Sequence, residues 1–421
     1  MHPFQKNILL IFCLALIAAM QACQSAGNES ESPDHAYLQV IENMPPLLDR
    51  PEAIRYGKEW DQVQNAYGKA LAELSKNPQA KEPRLLLSEI FIQEARITGE
   101  HPHYYPAALQ VLDELLAMPF DVTDIHQLDI RFRALLNKAN VQLSLHDFAG
   151  ALQTANEALA LNPHNAAIYG VLVDANVELG NYEQAVEMAD KMVSIRPDLR
   201  SYSRVSYLRE MHGDLPGAIE AMTMAVKAGS PGSEQTSWAL LTLGKLYEKQ
   251  GNMQAAETQY LTILDYRPNY PFALAALANL AYEEGRYQKA EQLFQQAADI
   301  IPEVGFYEGL AKVYKATGRQ DAFDQTFDEI IAMMQDDEAH GHDMSLEFAR
   351  AYADLKEDYA TALTHALKEY EKRPENVEVN ALLASLYYRM GDTARAVQHR
   401  QKAVRLGSVP SDLLALGNII D

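Results

Sequence analysis

Residues Ser237 to Tyr270 read SWALLTLGKLYEKQGNMQAAETQYLTILDYRPNY. Trp238 and Leu240 to Leu243 open an apolar face at helical spacing, Gly244 and Tyr247 carry it one turn further, and Gly251-Asn252 interrupts it. Ala256, Tyr260, Ile263 and Leu264 then resume the spacing until Pro268 stops it. The stretch therefore predicts two helices joined by a tight turn. Gly251 supplies the left-handed conformation that ends the first helix. The small residues Gly244 and Ala256 let the helices approach within about 8–9 Å. The aromatic Tyr260 fills the space between this hairpin and the next.

The same pattern repeats along the chain. Alanine, or once phenylalanine, recurs in one local context at Ala151, Ala185, Ala218, Ala256, Ala290, Phe323, Ala362 and Ala396, at intervals of 34, 33, 38, 34, 33, 39 and 34 residues. Glycine stands five residues earlier at Gly180, Gly213, Gly251, Gly285, Gly318 and Gly391, and proline closes units at Pro163, Pro197, Pro268, Pro302 and Pro374. The unit after Pro268 repeats the pattern with Leu277, Ala278, Tyr287, Ala290, Phe294 and Ala297.

These motifs resemble the tetratricopeptide repeat (TPR) family, whose unit is a helix–turn–helix of about 34 residues. The resemblance implies an all-α fold, an α-solenoid in which TPR hairpins form a right-handed superhelix over 84–407. The unit spanning 345–374 has no turn glycine and uses Leu355-Lys356-Glu357-Asp358 instead. The hairpin at 84–118 carries a longer loop, Gly99 to Pro106. Residues 37–83 are expected to be an N-terminal helical region with a degenerate repeat, since Trp60, Val63, Tyr67, Ala70 and Leu71 keep helical spacing. Residues 408–421 are expected to add a capping helix over the last apolar face.

The first residues read as a targeting segment. His2 and Lys6 give a basic start, and Ile8 to Met20 is an apolar run too short to span a bilayer, which takes about 20 residues. Residues 1–22 are thus expected to be a signal peptide. Met20-Gln21-Ala22-Cys23 resembles the lipobox of bacterial lipoproteins, which implies lipidation of Cys23 at the mature N-terminus. The alternatives are an ordinary cut near Ala22 or an uncleaved anchor. Cysteine usage favours the lipoprotein: the chain has 2 cysteines, and Cys13 lies within the signal segment. Residues 23–36 are small, polar and partly acidic, as in a flexible tether. The expected location is the bacterial cell envelope, on the outer membrane or the periplasmic face.

The net charge is −22. Such a field argues against nucleic acid and against electrostatic attachment to anionic lipid, so membrane contact is expected through the lipid anchor only.

Register carried over from the TPR family points Arg133, Asn140, Asp174, Arg200, Arg204, Tyr207, Trp238, Lys245, Asn279, Tyr282, Lys312 and Tyr388 into a concave groove that binds a partner. The list is mainly basic and aromatic within an acidic chain, which suits a protein or peptide that is acidic or has a free C-terminal carboxylate. Asn140, Arg200 and Arg204 match three positions of the family's carboxylate clamp, while Leu136 and Val171 stand where its lysine and asparagine belong. The alternative for these residues is an ordinary solvated face.

His101-Pro102-His103 and His340-Gly341-His342-Asp343 are read as solvated loop histidines, because a zinc site needs at least three protein ligands and each pair supplies two. No phosphate loop, GxSxG, HExxH or reactive cysteine pattern is present. No cofactor, metal or catalytic residue is expected. The implied function is a non-enzymatic, envelope-tethered scaffold. The alternatives are an accessory subunit presenting substrate to a membrane-bound or secreted enzyme, or a self-associating envelope component.

Overall fold

The structure is a computed structural model that describes residues 43–414. The signal segment, Cys23, the tether and residues 415–421 lie outside the described residues. Contacts divide the chain into two compact units, one holding Met44 and Leu71–Ala80, the other Pro45–Ala70 and everything from Lys81 onward. In the first, the helix end at Ser75 passes into a turn in which the Ala80 amide donates to the Asn77 carbonyl at 3.0 Å.

The described residues are all-α, a solenoid of helical hairpins with no strand among them. In chain order the helices are α1 (Glu59–Leu74), α2 (Glu82–Thr98), α3 (His101–Leu116), α4 (Ile125–Ser144), α5 (Phe148–Leu161), α6 (Ala166–Leu179) and α7 (Tyr182–Ile195). Then come α8 (Leu199–Met211), α9 (Leu215–Ala228), α10 (Glu234–Lys249), α11 (Met253–Tyr266), α12 (Pro271–Glu283), α13 (Tyr287–Ile300) and α14 (Val304–Ala316). The array continues with α15 (Gln320–Ala339), α16 (Ser345–Arg350), α17 (Tyr359–Lys372), α18 (Val377–Arg389), α19 (Thr393–Ala403) and α20 (Ser411–Leu414).

One turn chemistry builds the hairpins. Asn165 caps α6 by accepting from the Ala167 amide at 2.9 Å. The helix ends at Gly180, φ +82°, and the Asn181 amide reaches back to the Asn176 carbonyl at 2.8 Å. The same reach-back recurs at Asp214, Asn252, Arg286, Arg319 and Asp392. At Asp147, Asp214, Asn252, Asp358 and Asp392 the side chain then accepts from an amide in the first turn of the second helix. The repeating alanines at 151, 185, 218, 256, 290, 362 and 396 are all 0% exposed, and Phe323 is buried. At Gly244 a Cβ would lie 2.2 Å from the Tyr260 ring, so the glycine is what lets that aromatic in. Tyr260 therefore packs on its own hairpin as well as on the next, whereas Phe294 reaches forward to Gly309.

Two local expectations are corrected. The long loop Gly99–Pro106 is two residues, because α3 begins at His101, with Pro102 in the first turn, where a missing N–H costs nothing. The unit without a turn glycine absorbs one extra residue. Residues Ala351–Lys356 widen into a π-turn, the Asp358 amide reaches six residues back to Tyr352, and Glu357 takes the left-handed position at φ +58°.

Within the larger unit, segments about six repeats apart meet along a seam. The Asp343 amide donates to the Leu145 carbonyl at 3.1 Å. The Asn376 side chain donates to the Glu178 carbonyl at 2.9 Å, and the Val377 amide donates to the Tyr182 hydroxyl at 2.8 Å. Arg373 pairs with Glu178, and Arg405 donates to the Gly180 carbonyl at 3.0 Å. At the other end of the seam, Glu59 bridges Arg50 at 2.7 Å and Arg267 at 3.1 Å, while Arg50 also holds the buried Glu94.

Candidate partner-binding face

The first helices of hairpins, α4, α6, α8, α10, α12, α14 and α18, carry the side chains expected to face a partner. Some are already engaged within the fold. Arg133 pairs with Glu89 on α2 at 2.6 Å. Asn140 donates to the Leu136 carbonyl of its own helix at 2.8 Å. Arg204 is held by Asp174, with its Nε 2.9 Å from one carboxylate oxygen and 3.0 Å from the Gly170 carbonyl. Tyr282 lies against Tyr287 with ring centroids 5.5 Å apart, and Tyr388 packs on the C-terminal core. Tyr207 packs beside Tyr182, and burial with the nearby Glu378 and Glu178 drives its hydroxyl well above the ordinary tyrosine range. Of the three clamp positions, then, Asn140 and Arg204 already have internal partners.

The others are open. Arg200, Lys245 and Lys312 are exposed, and their side chains form no hydrogen bond or close ion pair among the described residues. Asn279 is exposed, and Trp238 is 47% exposed on the same set of helices. Solvent reaches Lys245, yet the protein around it pulls its ammonium below the ordinary lysine value, with Glu248 opposing. Arg200 is likewise lowered, first by burial and then by its cationic neighbours Arg204 and Arg96. Both cations are thus exposed while the protein around them disfavours their charge, a cost that a nearby anion would offset. The face is not uniformly basic. Glu308 lies beside Lys312, and burial raises its carboxyl above the usual range while Lys312 opposes the rise. Register alone had missed that acid.

The two histidine pairs divide between solvent and interior. His103 Nε2 meets the Pro46 carbonyl at 2.8 Å, and His340 Nδ1 meets the Asp336 carbonyl at 2.7 Å. His101 and His342 turn inward instead, and both ring nitrogens of His342 are buried without a hydrogen-bond partner. The reading of both pairs as solvated loop residues fails for these two.

Family models described as tetratricopeptide repeat match residues 142–211 and 241–304. The chain carries TPR repeats. It is 27% identical over 133 residues to the TPR repeat-containing protein MJ1428 of Methanocaldococcus jannaschii, which covers 31% of this chain and 22% of that protein, so the chain spans about a fifth of its relative's length. Among solved structures, PilF of Pseudomonas aeruginosa is 15% identical with a TM-score of 0.40, covering 49% of this chain and 93% of its own. The type IV pilus biogenesis factor PilW is 19% identical at a TM-score of 0.40, covering 48% of this chain and 93% of its own. Cut9 with Hcn1 from the APC/C is 13% identical at 0.45, covering 92% of this chain and 62% of that one. TPR repeats are protein-interaction scaffolds, and the matched stretches contain Arg200, Arg204, Tyr207, Lys245, Asn279 and Tyr282.

Proposed function

We propose that the chain is a non-enzymatic scaffold, exported and lipid-anchored through Cys23 in the bacterial envelope, that binds a carboxylate-rich or C-terminal peptide segment of a partner protein. The observation that carries the binding reading is the pair of desolvated, unpartnered cations Arg200 and Lys245 on the first-helix face. A carboxylate placed there gains a charge-assisted hydrogen bond without displacing an internal partner. Arg204 contributes less, because Asp174 already occupies its guanidinium. Exposed Trp238 offers an apolar platform for a neighbouring side chain of the ligand. A lipid anchor accounts for how so acidic a chain would stay at a membrane.

The test is capture of the co-purifying protein from detergent-solubilised membranes by the wild type and by the Arg200→Ala/Lys245→Ala double variant. Loss of about tenfold or more in recovery is expected for the double variant, with unchanged melting, since exposed substitutions shift stability by within about 0.5 kcal/mol. Raised salt should lower recovery by the wild type. Recovery equal in both chains would place the partner on another face. Cys23→Ser should move the protein from the membrane to the soluble fraction. A wild type found soluble with an unmodified N-terminus would remove the anchor from the proposal.

A further inference from the structure

At the seam, α3 opens with His101 while the last turn of α15 and the link after it bring Asp337 and His342 to the same place. Each offers one ligand atom, and the three atoms lie within 4.8 Å of one another. We propose that His101, Asp337 and His342 form a binding site for a divalent first-row transition-metal ion, tying the start of α3 to the α15–α16 link.

Four observations support it. Both ring nitrogens of His342 are buried with no hydrogen-bond partner, an arrangement that costs free energy unless something else fills it. The rings of His101 and His342 stand edge to face with centroids 6.3 Å apart, and each contributes one nitrogen to the cluster. The surroundings are acidic. Glu303 is 3.9 Å from His101, Glu347 is 4.0 Å from His146, and Asp336 adds to the field on Asp337.

The fourth observation is His146. It stands five residues before Ala151, where other units place glycine, and it holds the left-handed conformation at φ +61°. A non-glycine residue there costs about 1–2 kcal/mol. Its ring meets His342 edge-on at 4.5 Å, and its Nδ1 is 2.8 Å from the Asp343 carbonyl. His146 thus acts as a positioning residue that seats the link carrying His342. Two imidazoles and one carboxylate suit zinc, with a fourth position left for water. Ligand atoms around a tetrahedral zinc are about 3.3 Å apart, given bonds of about 2.0–2.1 Å. The ligand atoms therefore need to close by no more than about 1.5 Å on binding.

The test is titration of the EDTA-stripped full chain with zinc chloride by calorimetry, with cobalt(II) absorption as a second readout. One equivalent binding at micromolar affinity or tighter is expected, with a raised melting temperature and a tetrahedral cobalt spectrum. His101→Gln and Asp337→Asn are near in shape to the native residues, and each should weaken binding by about a hundredfold. His146→Gly restores the repeat's own turn residue, so the fold is kept, and affinity should fall by about tenfold or less. Weak binding at several sites, indifferent to His101→Gln and Asp337→Asn, would overturn the proposal and assign the metal to surface histidines. Absence of binding would overturn it as well. The outcome is independent of the Arg200 and Lys245 experiment.

Discussion

Gly180 and Gly251 end first helices in two hairpins at the same φ of +82°, each followed by asparagine and a helix, yet their surroundings differ completely. A Cβ on Gly180 would lie 2.5 Å from the main-chain carbon of Glu375, whereas one on Gly251 would meet nothing within 4 Å. Gly213 is pressed on Gly407 in the same manner, and Gly285, Gly318 and Gly391 are open like Gly251. The turns of the earlier repeats thus face links six repeats on, and the turns of the later ones face solvent. Repeat chemistry makes the turn; the seam then places a second demand on some copies of it.

The largest expected difference concerns arginines. Arg373 is 4% exposed at the seam, pairs with Glu369 and Glu178, and lies over the Phe148 ring at 4.7 Å. Arg319 makes a two-bonded pair with Glu291 at 2.9 and 2.8 Å in the open region, with Arg319 exposed and Glu291 half-buried. Arg373→Ala takes the arginine from the buried Glu369, which keeps only Lys372 at 3.8 Å, and from the half-buried Glu178, and should cost about 3 kcal/mol, against about 1 kcal/mol or less for Arg319→Ala. Denaturant midpoints decide between them, and equal losses would dissolve the seam as a distinct region. The defect should also depend on pH. Burial raises Glu178 to about 6, with Arg373 opposing and Glu378, His146 and Asp174 nearby. A folded-state value above the unfolded one means that stability is present at low pH and lost as pH rises through the folded value. Without Arg373 that value climbs further, so the loss at Arg373→Ala should be smaller at pH 5 than at pH 8.

Next in size is the glycine pair itself. Gly251→Ala should cost about 1 kcal/mol, the price of the left-handed conformation alone. Gly180→Ala adds a main-chain collision that no rotamer change relieves, and should cost about 3 kcal/mol or more. Thermal melts of both variants sharpen the comparison. If the two shift alike, the Glu375 segment yields freely and the seam is loosely held.

The seam also explains what could and could not be read in advance. Hairpin boundaries, the buried alanines and the turn glycines follow from short-range patterns, because each repeat packs mainly on its neighbours. Gly180 and Gly251 are indistinguishable on that basis, since the residue that separates them is Glu375. His101 and His342 stand in separate stretches of sequence, so their meeting leaves no short-range signature either. Two local departures did point at their meeting place. The turn glycine is replaced by His146, and the interval from Phe323 to Ala362 stretches to 39 residues, part of which lengthens α15 and carries Asp337 and His342 toward α3. A departure from a repeat deserves the same scrutiny as the repeat. The candidate partner-binding face was legible as a set of positions on first helices. Which of its cations were free was not, because Asp174 and Glu89 satisfy Arg204 and Arg133 from neighbouring hairpins.

The smallest effect comes from an open turn that lacks glycine. Glu357 holds φ +58° in solvent, where Lys315 pairs with its carboxylate at 2.8 Å. Glu357→Gly removes about 1–2 kcal/mol of left-handed strain. It also gives up an exposed ion pair that solvent screens, and adds unfolded-state freedom worth about 0.4–1 kcal/mol. The strain term slightly exceeds the others, so a gain below about 1 kcal/mol is expected. Lys315 also donates to the Leu355 carbonyl at 2.9 Å, so it keeps an anchor when the carboxylate goes. A small rise in melting temperature would fit a turn that answers only to its own backbone. A loss of more than about 1 kcal/mol would mean that the Lys315 pair holds the π-turn of Ala351–Lys356 in place, and that this open turn is as constrained as those at the seam.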